Sequence, residues 1–224
     1  MILPPLLTNL EAQLNGHKGG LMEITLRREE PADYFQTENL TREAFWDVYQ
    51  PGCDEHLIVH QIRSVPEFIP ELTFIALVRG KLAGHIMYTK AYILTDKEKK
   101  EELLCLGPVS VLPSLQKQGI GAKLIRHSLQ EAASLGYRGV LLFGDPAYYS
   151  RFGFVNAADY GITTADGQNF DAFMALELRE QGLDGIRGKY LENPVFQVDP
   201  KELEAFEKLF PPKEKHKREG QFRQ

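Results

Sequence analysis

The stretch that decides the fold is GPVSVLPSLQKQGIGAKLIRHSL, residues 107–129, in which a loop with two glycines joins a strand to a helix. The run that ends at Pro113 is apolar and predicts a buried strand, and residues 116–121 (QKQGIG) then open the helix. A helix N-terminus exposes unpaired backbone N–H groups and about half a positive charge. Because glycines let a ligand approach the backbone closely, the stretch predicts an anion site, most naturally for a pyrophosphate.

The glycine spacing argues against two common phosphate loops. A dinucleotide-binding fingerprint, G-x-G-x-x-G, needs a third glycine where Leu124 stands. A Walker P-loop needs a lysine directly after its last glycine and then Ser or Thr; here Ala122 separates Gly121 from Lys123, and no Ser or Thr follows. A nucleotide-phosphate hydrolase is therefore disfavoured, and no set of magnesium ligands is evident either.

A second motif follows the helix and one further strand. Residues 145–154 read DPAYYSRFGF, a short helix and turn. The first loop, Q-x-x-G-x-G after V-x-V-x-P, resembles the coenzyme A loop of the GNAT family of N-acetyltransferases. The second motif resembles that family's A-x-x-F-Y-x-K-x-G-F signature, with Tyr148-Tyr149 in the F-Y place. The resemblance is strong over residues 103–156. The combination of EHLIVHQIR, FIPEL and GDPAYYSRFGF resembles a branch of predicted bacterial GNAT enzymes whose acceptors are unassigned.

The resemblance implies an α/β (α+β) fold, a single domain with a mixed, mostly antiparallel central sheet flanked by helices and with splayed central strands that bind acetyl-CoA. It also implies that loop amides grip the pyrophosphate while the preceding strand pairs with the pantetheine arm. The coenzyme-binding residues implied in this way are Val109, Ser110, Val111, Gln116, Lys117, Gln118, Gly119, Ile120, Gly121 and Ala122. Lys117, Lys123 and Arg126 could reach phosphates, although a solvated face is their default interpretation.

The implied reaction is direct attack of an amine on the thioester of acetyl-CoA, without a metal. A backbone N–H in the strand at 109–111 would stabilise the carbonyl oxygen as charge develops there. Tyr149 matches the family's position for the acid that protonates the departing thiolate, whereas Tyr148 is expected to pack.

The base that removes the proton of the amine is less clearly marked. Histone-type relatives carry a strand glutamate where this chain has Cys105, and a buried neutral cysteine is a poor base. Glu101 and Glu102 precede it in what we interpret as a solvated loop. The segment between the first two helices, which borders the acceptor site in relatives, offers three more candidates: Glu55, His56 and His60. The two histidines share a helix face, but without a third ligand they do not indicate a metal site, and packing remains the alternative for each.

The remaining chain alternates strand and helix patterns. We predict strands at 22–27, 72–78, 82–92, 103–112, 140–143, 172–178 and 195–198, and helices at 31–45, 54–62, 119–135 and 200–210. Asp54 is expected to cap the second helix. The third helix has a predicted buried stripe of Leu124, Ser128, Ala132 and Leu135.

Composition excludes several broad classes. With 224 residues, 43% hydrophobic and 25% charged, the chain has enough apolar material for a sizeable core. No apolar run approaches the roughly 20 residues of a membrane helix, and a net charge of −5 argues against a nucleic-acid-binding body. Two cysteines, Cys53 and Cys105, exclude a disulfide framework and favour a reducing cytoplasm.

Both ends of the sequence are interpreted as extensions of a domain at 22–210. Residues 1–21 lack the features of a secretory signal, and Lys18-Gly19-Gly20 just before Met22 suggests a translated ribosome-binding site, with Met22 as the natural start. Residues 211–224 carry five Lys/Arg and two Glu and predict a basic, solvated, mobile tail.

Two functions stay open on the sequence. The first is an N-acetyltransferase that modifies a primary amine of a small molecule or a protein; the second is a non-catalytic acyl-CoA-binding sensor or regulatory module. Tyr149 and an intact strand bulge favour catalysis. The acidic body suits a cationic acceptor, but antibiotic, peptide N-terminus, lysine and small metabolite all remain open. The strand edges expected of a mixed sheet suggest a homodimer.

Overall fold

The structure, a computed structural model, describes residues 23–221. Within this range the strands are Ile24–Arg28 (β1), Phe74–Val78 (β2), Lys81–Thr95 (β3), Lys100–Val111 (β4), Gly139–Phe143 (β5), Val155–Asn156 (β6), Ile162–Thr163 (β7), Phe173–Glu177 (β8) and Gly188–Leu191 (β9). The helices are Tyr34–Phe45 (α1), Glu55–Ile62 (α2), Ile120–Ser134 (α3), Pro146–Tyr149 (α4) and Pro200–Glu207 (α5).

These strands form one mixed sheet. Its main path is β1-β2-β3-β4-β5-β8-β6, and β9 pairs with both β3 and β7. The pairs β4–β5 and β7–β9 are parallel and the other pairs are antiparallel. A mostly antiparallel sheet flanked by helices confirms the predicted fold class.

The central strands β4 and β5 separate soon after they pair. Their parallel ladder ends at Cys105 of β4, although that strand continues to Val111. Beyond Cys105, the edge of β4 that faces β5 has no strand partner in the described part of the chain. On its other edge, the register with β3 shifts between Ile86 and Tyr88, which marks a β-bulge. The result is a splayed strand whose backbone groups are open to a ligand.

Helices cover both faces of the sheet. Successive strand residues point to opposite faces, and β3 shows this clearly. Met87 packs with Val59 of α2, whereas Tyr88 packs with Leu124 of α3. The first two helices therefore lie on one face and α3 on the other.

The predicted stripe of α3 is confirmed at three of its four positions. Leu124, Ser128 and Ala132 are fully buried. Leu135 is 49% exposed, so its place in the stripe was wrong. The helix ends at Ser134, and Leu135 is its C-cap residue, directly before Gly136, where a left-handed backbone turns the chain away.

Three other local predictions were wrong. The segment at 195–198 is not a strand, because Pro194–Phe196 forms a 3-10 turn and the preceding β9 joins the sheet instead. Glu101 and Glu102 lie in β4 rather than in a loop. Asp54 occupies the N-cap position of α2, but its side chain makes no capping hydrogen bond.

The C-terminal helix and the segment after it are tied to α1 and α2. Glu207 accepts a hydrogen bond from Nε of the buried Arg42 (2.9 Å) and lies 2.7 Å from Nε2 of His56. Farther along, the carbonyl of Glu214 accepts a hydrogen bond from the Trp46 indole (2.8 Å). The segment that follows α5 therefore has a backbone contact with the residue that directly follows α1, and the mobility expected of the tail stays a prediction.

The predicted N-terminal extension and the proposed start at Met22 lie outside the described residues. The domain limits 22–210 and the separate roles of 1–21 and 211–224 remain predictions. Among residues 23–221, no helix has both the length and the apolar character needed to cross a bilayer.

A buried ionic cluster joins the first two helices to the sheet. Arg63, which follows α2, donates hydrogen bonds to Glu29 (2.7 Å) and to Glu38 of α1 (2.6 Å). His85 of β3 places Nε2 3.2 Å from Glu29. Burial alone would raise the pKa of the Glu29 carboxyl, but the hydrogen bonds and charges of His85 and Arg63 lower it to about 2. The Glu29 carboxyl is thus ionised at neutral pH, and the cluster fixes α1 and α2 over β3.

Candidate active site

The open edge of β4, the loop that follows it and the α4 segment enclose a cleft of about 640 Å³. Its lining includes eight of the ten predicted coenzyme-binding residues: Val109, Val111, Gln116, Lys117, Gly119, Ile120, Gly121 and Ala122. The remaining lining residues are Leu115, Tyr148, Tyr149 and Arg151. The two sequence motifs therefore meet in one cavity.

The other two predicted coenzyme-binding residues direct their side chains elsewhere. Ser110 is fully buried, and its hydroxyl donates a hydrogen bond to Oγ1 of Thr41 on α1 (2.9 Å). Gln118 is exposed and donates to the carbonyl of Ser114 (3.2 Å). Alternation along β4 turns the Ser110 side chain to the opposite face from Val109, so its predicted part in coenzyme binding falls to its backbone and stays a prediction.

Two glycines shape the N-terminus of α3. Gly119 adopts a left-handed conformation, with φ of 86°, at the N-cap position. A Cβ atom on Gly121 would lie 3.1 Å from the hydroxyl of Tyr148 and 3.5 Å from a methyl group of Val111. The first of these glycines allows the turn into the helix, and the second keeps the cleft open beside the first-turn amides, which have no preceding helical carbonyl.

Tyr149 presents a free hydroxyl at the cleft. The Asp145 carboxylate caps α4 by accepting a hydrogen bond from the amide of Ala147 (2.9 Å). The Tyr149 ring lies directly against Gly144, where a Cβ atom would clash with it. Burial raises the pKa of Tyr149 above its usual range. Its hydroxyl makes no hydrogen bond to residues 23–221. Because its pKa is raised, the hydroxyl is protonated at neutral pH and can donate a hydrogen bond to a ligand.

Tyr148 also belongs to the cleft, which the sequence did not predict. Its ring meets the ring of Tyr149 edge to face, with centroids 5.1 Å apart. The guanidinium of Arg151 lies 4.8 Å from the centroid of the Tyr148 ring. The aromatic face of Tyr148 therefore holds a cation at the cleft, while its hydroxyl approaches Gly121.

Of the basic residues near the loop, Lys117 and Arg151 line the cleft. Lys123 instead donates to the backbone carbonyl of Ile24, and Arg126 lies over a phenylalanine ring. Of Lys117, Lys123 and Arg126, only Lys117 therefore lies where it suits a phosphate of the coenzyme. Arg151 was missed, although it stands where the family signature has lysine.

Cys105 and its acidic neighbours provide no base at the cleft. Cys105 is buried, and burial raises the pKa of its thiol to about 11. Glu101 pairs with Arg138 (3.0 Å) and Glu102 pairs with Lys90 (3.2 Å). The neutral packing role expected for this cysteine agrees with the structure.

The two candidate histidines face α5 rather than the cleft. His56 has no exposed surface, packs 5.4 Å from the Phe206 ring and has a pKa that burial lowers to about 4. His60 shares that helix face, as its spacing predicts, with its ring 4.7 Å from Phe206 and Nδ1 2.9 Å from Glu38. Contact with substrate was therefore wrong for His56, because the C-terminal helix covers it, and His60 lies beside the same helix.

Glu55 begins α2 and differs from both histidines. It is half-buried, and burial raises the pKa of its carboxyl to about 7. Burial raises the pKa of Tyr49, and the charges of Glu55 and Asp145 raise it further. The charge of Tyr49 is in turn a smaller cause of the raised pKa of Tyr149, after burial. Glu55 and Asp145, which precedes α4, are therefore both within electrostatic range of Tyr49. Within residues 23–221, no cluster of three or more His, Cys, Asp or Glu side chains is arranged to hold a metal ion.

Comparison with known proteins decides the family. The sequence profile of the acetyltransferase (GNAT) family matches residues 33–154, which span both motifs and every residue that lines the cleft. The chain belongs to the GNAT family. It is accordingly an acyltransferase of that family.

Two solved GNAT structures are similar to this chain over most of its length. A GNAT acetyltransferase from Brucella melitensis in complex with acetyl-CoA is 30% identical, covers 78% of this chain and 99% of its own, and superposes with a TM-score of 0.62. YhbS from Escherichia coli in complex with CoA shares the fold, with a TM-score of 0.70, 24% identity, and coverage of 81% and 96%.

Two curated relatives from Escherichia coli carry the name N-acetyltransferase. Escherichia coli YhbS, described as an uncharacterized N-acetyltransferase, is 29% identical over 166 residues, which are 74% of this chain and 93% of YhbS. Escherichia coli YjhQ, described in the same words, is 36% identical over 87 residues, which are 38% of this chain and 46% of YjhQ. The chain thus aligns with nearly all of YhbS and with about half of YjhQ.

Proposed function

We propose that this GNAT protein transfers the acetyl group of acetyl-CoA directly to a primary amine. The amine nitrogen bonds to the acetyl carbon, the carbon–sulfur bond breaks, the nitrogen loses a proton and the departing sulfur gains one. The observation that supports this most strongly is the single cleft that the open edge of β4, the N-terminus of α3 and Tyr149 share. The products would be an amide and free coenzyme A.

The lining of the cleft fits coenzyme A. Gly121 leaves room that a side chain would fill. The first-turn amides of α3, with Lys117 and Arg151, suit the phosphates. The unpaired edge of β4 offers backbone groups to an arm that contains amides, as a neighbouring strand would. That relatives with this fold hold CoA or acetyl-CoA supports the assignment.

Tyr149 is the proposed acid. A tyrosine with pKa of about 10 gives a proton to a thiolate of pKa about 8.5 at a cost of roughly 2 kcal/mol. Burial raises the pKa of Tyr149 further, so it acts first as a hydrogen-bond donor to sulfur and transfers the proton late. A backbone N–H at 109–111 is proposed to stabilise the developing oxyanion.

The amine must reach the thioester unprotonated. An alkylamine with pKa of about 10.4 is neutral in about one molecule in 2,500 at pH 7, a penalty near 4.6 kcal/mol. A base is therefore useful, and we assign this role to Glu55, whose carboxyl has a pKa of about 7 and, like Asp145 before α4, acts electrostatically on Tyr49.

Replacement of Glu55 with Gln is expected to lower kcat/KM by about 100-fold at pH 7.5, because the carboxylate that accepts the proton is lost. In the wild type, kcat/KM should rise with pH through about 7 as Glu55 ionises, and E55Q should lose that inflection. Glu101→Gln, which changes an ion-paired glutamate of β4, is the matched control. An unchanged inflection in E55Q would show that another group is the base.

Transfer itself is tested by free-thiol release from acetyl-CoA with a panel of primary amines, and by mass spectrometry of the amine product. We expect stoichiometric thiol and acetylated amine. A non-catalytic acyl-CoA sensor is the alternative; it would show a higher Tm with acetyl-CoA but no thiol release across the panel.

We place the reaction in a reducing compartment such as the cytoplasm. Cys53 and Cys105 are both unpaired and buried, which suits a protein that does not depend on disulfides.

A further inference from the structure

Four aromatic rings form a continuous group on the sheet face opposite α3: Phe143, Phe170, Phe173 and Tyr190. We call this group the aromatic wall. Phe143 stacks on Phe173 at 4.8 Å and on Phe170 at 5.6 Å, with interplanar angles of 23° and 16°. Phe173 and Tyr190 are buried, but Phe143 is 43% and Phe170 is 47% exposed. The wall therefore has a fixed inner layer and an outer layer that is open to a ligand.

The aromatic wall borders the gap between the splayed strands. Phe143 is the last residue of β5, and the next residue, Gly144, contacts the Tyr149 ring. On the other side, Tyr190 belongs to the same buried cluster as Cys105, the last β4 residue paired with β5. The proposed coenzyme cleft and the wall thus lie on opposite faces of the sheet at one opening, so a molecule on the wall can extend a short chain toward Tyr149.

The charge beside the aromatic wall is negative. Asp171 lies between two wall residues in the sequence and is exposed. Glu192, two residues after Tyr190 in the chain, is also exposed. Aromatic faces beside carboxylates favour a ligand that combines a flat apolar group with a cationic nitrogen.

We propose that the aromatic wall binds the body of the acceptor, and that the acceptor is a primary amine joined by a short chain to an aromatic or similarly flat apolar group. This rests on the proposed function. The transfer step is unchanged: the amine nitrogen of the bound arylalkylamine forms the amide bond, and the acetyl group leaves sulfur as the free thiol forms. Binding of the ring on one face places the nitrogen at the gap.

The test compares 2-phenylethylamine with ethylamine as acceptors under the same acetyl-CoA concentration. We expect the wild type to favour 2-phenylethylamine by about 30-fold in kcat/KM, because its ring is buried against Phe143 and Phe170. The double variant F143S/F170S should reduce that ratio to less than about 3-fold. Leu135→Ser removes an equally exposed apolar side chain from the end of α3 and should keep the ratio.

The outcomes separate the two proposals. Turnover of both amines at equal kcat/KM in the wild type would overturn the role of the aromatic wall and leave acetyl transfer standing. No acetylation of any amine in the broad panel would contradict the proposed function and this inference with it. If sedimentation shows that F143S/F170S turns a dimer into a monomer while the amine preference persists, the wall is a subunit interface and the inference is wrong.

Discussion

Replacement of Tyr149 with Phe is expected to lower kcat by about 100-fold while the KM for acetyl-CoA changes by less than about 3-fold. The variant removes one hydroxyl that faces the cleft and has no hydrogen-bond partner among residues 23–221. The ring stays against Gly144. Since the hydroxyl acts on sulfur only as the carbon–sulfur bond breaks, its loss should appear in kcat. Steady-state thiol release measures both constants.

Tyr148→Phe is the matched control for this prediction. It removes the same atom from the neighbouring ring, which meets Tyr149 edge to face. The Tyr148 hydroxyl approaches Gly121, so its removal should raise the KM for acetyl-CoA a few-fold and leave kcat nearly constant. Both variants should melt within about 2 °C of the wild type. If Tyr148→Phe lowers kcat as much as Tyr149→Phe, Tyr149 is not the specific acid.

Replacement of Gly121 with Val is expected to weaken binding of CoA by about 50-fold or more. The backbone of Gly121 is not left-handed, so a side chain there causes no backbone strain. The new side chain would instead occupy the space between Tyr148 and Val111 beside the first-turn amides. That space is where we place the pyrophosphate. Titration calorimetry with CoA measures the change directly.

The control for Gly121→Val is Ala133→Val, at an exposed position on the same helix. Both variants place a β-branched residue in α3; Ala133→Val costs about 0.5 kcal/mol in helix propensity, whereas Gly121→Val replaces a poorer helix former. Ala133→Val should bind CoA like the wild type. Equal affinities of the two variants and the wild type would show that the coenzyme does not pass Gly121.

The parts of the site that could be predicted are those whose chemistry constrains a short stretch. The glycine spacing of residues 116–121, after an apolar strand, identified the loop because a backbone-bound phosphate needs glycine at particular positions. Tyr149 was found through its place in the second motif. Each of these signals is contained within about ten neighbouring residues.

The parts that could not be predicted depend on residues distant in the sequence. The spacing of His56 and His60 showed that they share a helix face, but not that α5 covers it. Glu207, which pairs with His56, lies far along the chain. The aromatic wall depends in the same way on β9. The four residues of this strand carry too little pattern to be recognised in the sequence, but the strand brings Tyr190 into the same buried cluster as Cys105.

The central claim is that coenzyme A lies in the cleft between β4 and α3, with its sulfur at Tyr149. A crystal structure of the full chain with CoA tests this most directly. We expect the pyrophosphate on the amides of the first turn of α3, the pantetheine arm along the open edge of β4, and the sulfur within hydrogen-bond distance of the Tyr149 hydroxyl. Pyrophosphate bound away from Gly121, or a sulfur that lies far from Tyr149, would contradict the account.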